Sequence, residues 1–161
     1  MVNGLPAGSP CPCGSGRAFG ACCGPLLGGA QSGATAEALM RSRYCAFCLH
    51  DERHLLRTWH PDTRPTGIDF EPQMHWTGLR IVDSSAGGSE DDEGIVEFIA
   101  RYKLQGRAGR LHERSRFARA GGQWLYLAGD VEPAQSAASK TGRNAPCTCG
   151  SGRKYKHCCA R

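Results

Sequence analysis

Val96-Glu97-Phe98-Ile99-Ala100-Arg101-Tyr102-Lys103-Leu104 decides the fold class. Val96, Phe98, Ala100, Tyr102 and Leu104 alternate with Glu97, Arg101 and Lys103, the period-two pattern of a strand with one covered face. Working outward, further strands are predicted over 76–82, 111–119 and 124–131. Gly121-Gly122 joins the last two, and an exposed turn over 83–92 carries Gly87-Gly88 among acidic residues. Upstream the period becomes helical. Thr35 reads as an N-cap, and 36–50 places Met40, Tyr44 and Phe47 at helical spacing with Leu39 beside them. A shorter helix over 51–59 carries Leu55, Leu56 and Trp59 on one side and stops at Pro61 and Pro65. Two helices followed by a four-stranded antiparallel meander define an α+β domain over 35–132.

Both ends of the chain carry the same thiol pattern, C-x-C-x8-C-C. It stands as Cys11-Pro12-Cys13-Gly14-Ser15-Gly16-Arg17-Ala18-Phe19-Gly20-Ala21-Cys22-Cys23 within 1–34. It stands again as Cys147-Thr148-Cys149-Gly150-Ser151-Gly152-Arg153-Lys154-Tyr155-Lys156-His157-Cys158-Cys159 within 133–161. Four sulfurs in so short a loop can close a tetrahedral thiolate site. Zinc is the usual occupant, and ferrous iron accepts the same donors. The glycines after each C-x-C permit positive φ and can turn backbone N–H groups toward sulfur. Phe19 and Tyr155 offer an apolar lid. Adjacent ligands cannot both reach one ion from a regular helix or strand, so each motif should end in a tight turn. A disulfide framework is the competing reading and would suit a small secreted chain. No apolar signal segment precedes Cys11, which favours metal-held thiolates in a reducing cytoplasm.

A length of 161 residues allows one ordinary domain with short appendages, and 40% hydrophobic residues can fill a core. The chain has no apolar run of about 18 residues, so no membrane span is expected. The formal charge of +5 counts thiols as neutral. A divalent ion on four thiolates carries two net negative charges, so two such sites cancel most of it. Global basicity is therefore a weak argument for nucleic acid, and no DNA partner is expected. Local charge is more informative. All 15 acidic residues lie between Glu37 and Glu132, whereas the tail carries Lys140, Arg143, Arg153, Lys154, Lys156 and Arg161 and no acidic side chain. That end suits an acidic partner, with Arg153, Lys154, Tyr155 and Lys156 as the contact residues. The first copy has Ala18, Gly20 and Ala21 in place of Lys154, Lys156 and His157 and lacks the charge. Residues 1–10 are expected to be disordered, 24–33 to form a linker and 132–144 a tether.

The cysteine pattern resembles the SEC-C motif, a small zinc module found at the end of the preprotein translocase motor ATPase. The whole chain, with Leu39-Met40-Arg41-Ser42-Arg43-Tyr44 and Leu111-His112-Glu113-Arg114-Ser115-Arg116-Phe117 between its two copies, looks like the YchJ family. The resemblance implies a nuclear transport factor 2-like cone with helices in the mouth of a curved sheet, and one zinc per terminal module. It also implies contact with a chaperone or ribosome.

Period two on the third strand turns Leu111, Glu113, Ser115 and Phe117 to one face. Glu113 is then carried inward, where a carboxylate needs a partner, and Arg41 or Arg43 is the natural candidate. A structural ion pair is the plain reading. The sharper one is a small pocket lined by Arg41, Arg43, Tyr44, Trp59, Trp76 and Glu113. It shows no evident nucleophile. Cys45 and Cys48, near His50 and His54, suggest a third metal site less readily than buried thiols serving as small hydrophobes. His157 reads as a surface residue. The functional expectation is a cytoplasmic adaptor whose terminal modules dock on a protein or ribosomal partner. The alternatives are an enzyme with Glu113 as base and an RNA-binding tail.

Overall fold

The computed structural model describes residues 4–133 and Lys154. Four strands, β1 (Met74–Ala86), β2 (Glu93–Leu104), β3 (Arg107–Ala120) and β4 (Gln123–Val131), form one antiparallel sheet in the order β1-β2-β3-β4. Three helices precede them: α1 (Gly24–Leu27), α2 (Ala36–Leu49) and α3 (Glu52–Arg57). The register breaks between Trp76 and Gly78, between Ile81 and Asp83, and between Arg116 and Phe117. Such bulges bend a strand and raise its twist, which curls the meander around α2. Gly121 and Gly122 both take positive φ in the tight turn between β3 and β4, as the sequence predicts.

Local signals explain the helix ends. Thr35 Oγ1 accepts from Ala38 N at 3.1 Å at the start of α2, and His50 closes it in the left-handed region at φ 54°. Asp51 Oδ1 accepts from His54 N at 3.0 Å and caps α3. The second helix is shorter than predicted, ending at Arg57. Trp59 instead makes a parallel bridge to Tyr126, with Tyr126 N donating to Thr58 O and His60 N to Tyr126 O, each at 2.8 Å. Pro61 disfavours a helical His60, and the freed segment finds its backbone partners on β4.

Two strands are longer than predicted. β1 continues through Ala86, so only its far end is a turn, and β3 begins at Arg107. The residues 83–86 and 107–108 are exposed and pair through backbone alone with β2. No apolar alternation marks them in the sequence.

The N-terminal segment corrects the expected organisation most. Ser9 O and Ala7 O accept from Phe19 N and Gly20 N, both at 2.8 Å, and Leu5 packs on the core, so 4–10 is not loose. The stretch 24–33 is not a plain linker, because it contains α1 and a fully buried Leu27. Cys11, Cys13, Phe19, Cys23 and Leu27 share one continuous core with Leu39, Met40, Tyr44, Val96, Phe98, Phe117 and Trp124.

A buried polar relay ties α2 to α3. Arg57 Nη2 lies 2.9 Å from His54 Nδ1, His54 Nε2 lies 2.9 Å from Ser42 Oγ, and Ser42 donates to Leu39 O at 2.8 Å. Arg57 can only donate, so Nδ1 accepts and Nε2–H donates onward, which fixes a neutral tautomer. Burial, with Arg57 and Arg43 adding to it, pushes His54 down to about 4. The unfolded chain binds a proton here near pH 6.5 and the folded one does not, so stability falls as pH drops from about 6.5 toward 4. Between pH 7 and 5 this one group should cost roughly 2 kcal/mol. A histidine NMR titration should find His54 still neutral at pH 5, and a midpoint near 6.5 would contradict the relay.

Candidate metal centre and pocket

Pro10 bridges Ala18, and Cys11 N donates to Arg17 O at 2.9 Å, closing a short knuckle around Cys11 and Cys13. Gly14 and Gly16 take φ of 74° and 77°, the positive values expected of them, and Gly14 N donates to Cys11 O at 3.1 Å rather than to a sulfur. A 3-10 turn, Phe19–Ala21, then delivers the second thiol pair. Cys22 sits at φ −133°, ψ −103° and Cys23 at φ −83°, ψ −19°, so the chain turns sharply between them. Their sulfurs can then share a centre, 3.9 Å apart.

The four ligand sulfurs of Cys11, Cys13, Cys22 and Cys23 lie within 4.8 Å of one another, with Cys13 and Cys22 at 3.6 Å. A tetrahedron with metal–sulfur bonds of about 2.3 Å has edges of roughly 3.8 Å, so this donor set fits a tetrahedral ion. Both zinc and ferrous iron satisfy that geometry. Ser15 Oγ meets Cys22 Sγ at 3.1 Å, and Arg41 Nη1 donates to Cys13 O at 2.9 Å, supporting the ligands from outside. Cys11, then Cys23 and Cys45, donate to Cys13 and hold its thiol well below its usual range.

Arg41 therefore belongs to the metal module and does not line the pocket. Its Nε bonds Glu37 at 2.9 Å. The third metal site, which the sequence suggests less readily than buried thiols, does not form among the described residues: Cys48 meets Tyr44, the His50 ring lies tilted against Phe70 with centroids 4.8 Å apart, and His54 belongs to the relay. Cys45 is more than a small hydrophobe, for its Sγ lies 3.6 Å from Cys11 Sγ.

Between α2 and the concave sheet lies a cavity of about 250 Å³. Tyr44, Phe47, Trp59, Trp76, Phe98 and Tyr126 wall it, together with Met40, Ala100 and Leu111. Arg43, Glu113 and Ser115 are its polar groups. Four of the predicted residues besides Arg43 thus meet here: Tyr44, Trp59, Trp76 and Glu113. Phe47, Phe98 and Tyr126 were missed, although the alternation of β2 and the helical spacing of α2 already pointed two of them inward.

Arg43 and Glu113 do not form the expected ion pair. Arg43 Nη1 donates to Leu55 O and Thr58 Oγ1, both at 2.8 Å. Its guanidinium lies 4.9 Å and 4.5 Å from the Trp59 and Tyr126 ring centroids. Burial pushes Arg43 down to about 10, and it stays a cation. Glu113 Oε1 accepts from Ser115 Oγ at 2.7 Å and from Tyr126 OH at 3.0 Å. Tyr126 is held above its usual range, first by burial and then by the Glu113 charge. Gly129 leaves room for this carboxylate, because a Cβ there would overlap Glu113 Oε1 and displace it from its two hydroxyl donors.

These features define a class: a SEC-C motif protein built on a nuclear transport factor 2-like domain. The description "YchJ, middle NTF2-like domain" matches residues 35–129, and "SEC-C motif" matches 9–25 and 143–161. A UPF0225 protein of Streptomyces coelicolor is 52% identical over 121 residues, covering 75% of this chain and 94% of the relative. One of Geobacter sulfurreducens is 44% identical over 158 residues, covering 92% and 96%. A SEC-C motif containing protein from Rhodopseudomonas palustris superposes with TM-score 0.69 at 38% identity, covering 78% of this chain and 100% of that one. Another from Psychrobacter arcticus gives 0.64 at 27%, covering 96% and 97%. The chain belongs to the YchJ, or UPF0225, family.

The second cysteine set, Cys147, Cys149, Cys158 and Cys159, lies outside the described residues, as do Arg153, Tyr155, Lys156 and His157. Lys154 is exposed. Among the described residues no helix is long and apolar enough to cross a membrane.

Two outcomes are expected. Chelation should lower the thermal midpoint of the sheet measured by circular dichroism, since the N-terminal thiols share its core. An unchanged midpoint would show the knuckle to be a detachable appendage. Gly129→Ala should cost about 1–2 kcal/mol by dislodging Glu113 from two hydroxyl donors. The same change should cost less in a Glu113→Ala background, where the carboxylate is gone and the Tyr126 hydroxyl alone must give way.

Proposed function

We propose that this protein is a metal-stabilised binding adaptor. Its central cone holds a small ligand or a peptide side chain, and its C-terminal SEC-C-like module docks on a protein or ribosomal partner linked to protein export or biogenesis. The observation that carries this reading is the cavity: a wall of aromatics with one fixed cation and one fixed carboxylate is the form of a preorganised recognition site. Its lining offers Ser115 as the one hydroxyl besides the two tyrosines, and that hydroxyl is spent on Glu113. Tyr126 is spent on the same oxygen, and the described lining holds no histidine and no cysteine, which favours binding over turnover.

The N-terminal module supplies stability rather than contact. Four thiolates leave no open position on a tetrahedral ion, and zinc is the occupant that such a closed structural site suits. The C-terminal module carries the docking role because its copy of the motif adds Lys154 and Lys156 to the Arg153 that matches Arg17 of the first copy.

One observation favours a catalytic alternative. Both hydroxyl donors of Glu113 end on Oε1, so among the described residues Oε2 is left to receive a substrate proton.

Pull-down from native extract at two salt concentrations tests the docking. Lys154→Glu with Lys156→Glu should abolish partner recovery, and unchanged recovery would remove the claim. Salt-sensitive recovery of RNA in place of protein would move the reading to RNA. For the cavity, an aromatic amide such as phenylacetamide should quench tryptophan fluorescence saturably. An Ala100→Phe variant should remove that response, and equal quenching in both proteins would refute the pocket.

A further inference from the structure

The metal centre has a fifth sulfur. Cys45 comes from α2, not from the SEC-C motif, and is fully buried with its Sγ 3.6 Å from Cys11 Sγ. That separation matches the edge of roughly 3.8 Å expected between two thiolates on one tetrahedral ion. Its thiol also interacts with those of Cys13 and Cys23. Of the four motif cysteines, Cys11, Cys13 and Cys23 are buried, whereas Cys22 is half-exposed and held by Ser15. Cys22 is thus the ligand nearest to solvent, and Cys45 stands on the protein side of the same cluster.

We propose that Cys45 is a reserve ligand: when Cys22 leaves the ion, Cys45 closes the coordination shell with Cys11, Cys13 and Cys23. The exchange keeps four thiolates on the ion. Cys45 gives up its proton as its sulfur binds, and the departing Cys22 takes one up, so charge balances without an oxidant. The site then keeps its metal while its outermost thiol is free to react. α2, which also carries Arg43 and Tyr44 of the cavity, becomes directly bonded to the ion in that state.

Cobalt substitution reads the exchange through thiolate-to-metal charge-transfer bands, whose intensity scales with the number of bound thiolates. The full chain is used, with Cys147→Ser and Cys149→Ser silencing the second motif. In that background Cys22→Ser should keep the four-thiolate intensity, and Cys22→Ser with Cys45→Ser should lose about a quarter of it. If Cys22→Ser alone already shows the lower intensity, the proposal fails. Limiting iodoacetamide on the cobalt-loaded protein with Cys22 intact gives a second measurement that needs no ligand variant. Alkylation at Cys22, mapped by mass spectrometry, should proceed with the cobalt spectrum retained. Metal release in step with Cys22 alkylation would overturn the reserve role.

Discussion

The described residues are arranged about α2, which must meet two different neighbours within one core. On one side Met40, Tyr44 and Phe47 meet the concave sheet, and on the other Arg41 and Cys45 meet the metal knuckle. A helix of 14 residues buried on two sides cannot be amphipathic in the ordinary sense, and its apolar residues run most of the way round it. Its stability therefore comes from tertiary packing rather than from one covered stripe. The consequence for the N-terminal motif is direct. It is a wedge that completes the domain, and an ion gathered by its thiols would also fix one face of the helix that floors the cavity.

The cavity's polar groups follow a similar economy. Arg43 is buried without a carboxylate within ion-pair distance, which would be costly if its charge had no other compensation. Two carbonyl or hydroxyl acceptors and two aromatic faces supply it. Glu113 is held by hydroxyl donors instead of a cation, so neither charge neutralises the other through contact. Tyr126 stands between them, its ring under the guanidinium and its hydroxyl on the carboxylate. A direct Arg–Glu pair would have turned both charges away from the cavity. The observed arrangement leaves a cation and a carboxylate edge facing the same small space, a pair suited to a neutral ligand group that both donates and accepts.

The sequence made most of this architecture readable, for identifiable reasons. Strand β2 and the third strand's Leu111, Glu113, Ser115 and Phe117 declared their faces through period two, and the thiols declared themselves through spacing. What escaped has a common cause: it depends on contacts between distant segments. Nothing local shows that Arg41 points to the carbonyl of Cys13 and Arg43 to the cavity, since two residues apart on a helix they face different ways. Cys45 looked like any buried thiol because its neighbour, Cys11, lies 34 positions away. Strand ends 83–86 and 107–108 are invisible to hydrophobic pattern because backbone pairing alone holds them.

The two copies of the motif can now be set against each other on physical grounds. At the position matching Lys156 the first copy has Gly20, and a Cβ there would meet Ala7 Cβ at 2.7 Å. A lysine is thus incompatible with the N-terminal segment lying across the first knuckle. Ala18, Gly20 and Ala21 are exposed, so of the three positions it is Gly20 whose small size the crossing Ala7 requires. The second copy keeps lysines at the matching positions, together with Tyr155 where the first buries Phe19. The same cysteine spacing therefore occurs with two different sets of intervening residues, one packed here against this chain's own α2 and one carrying added lysines in the sequence.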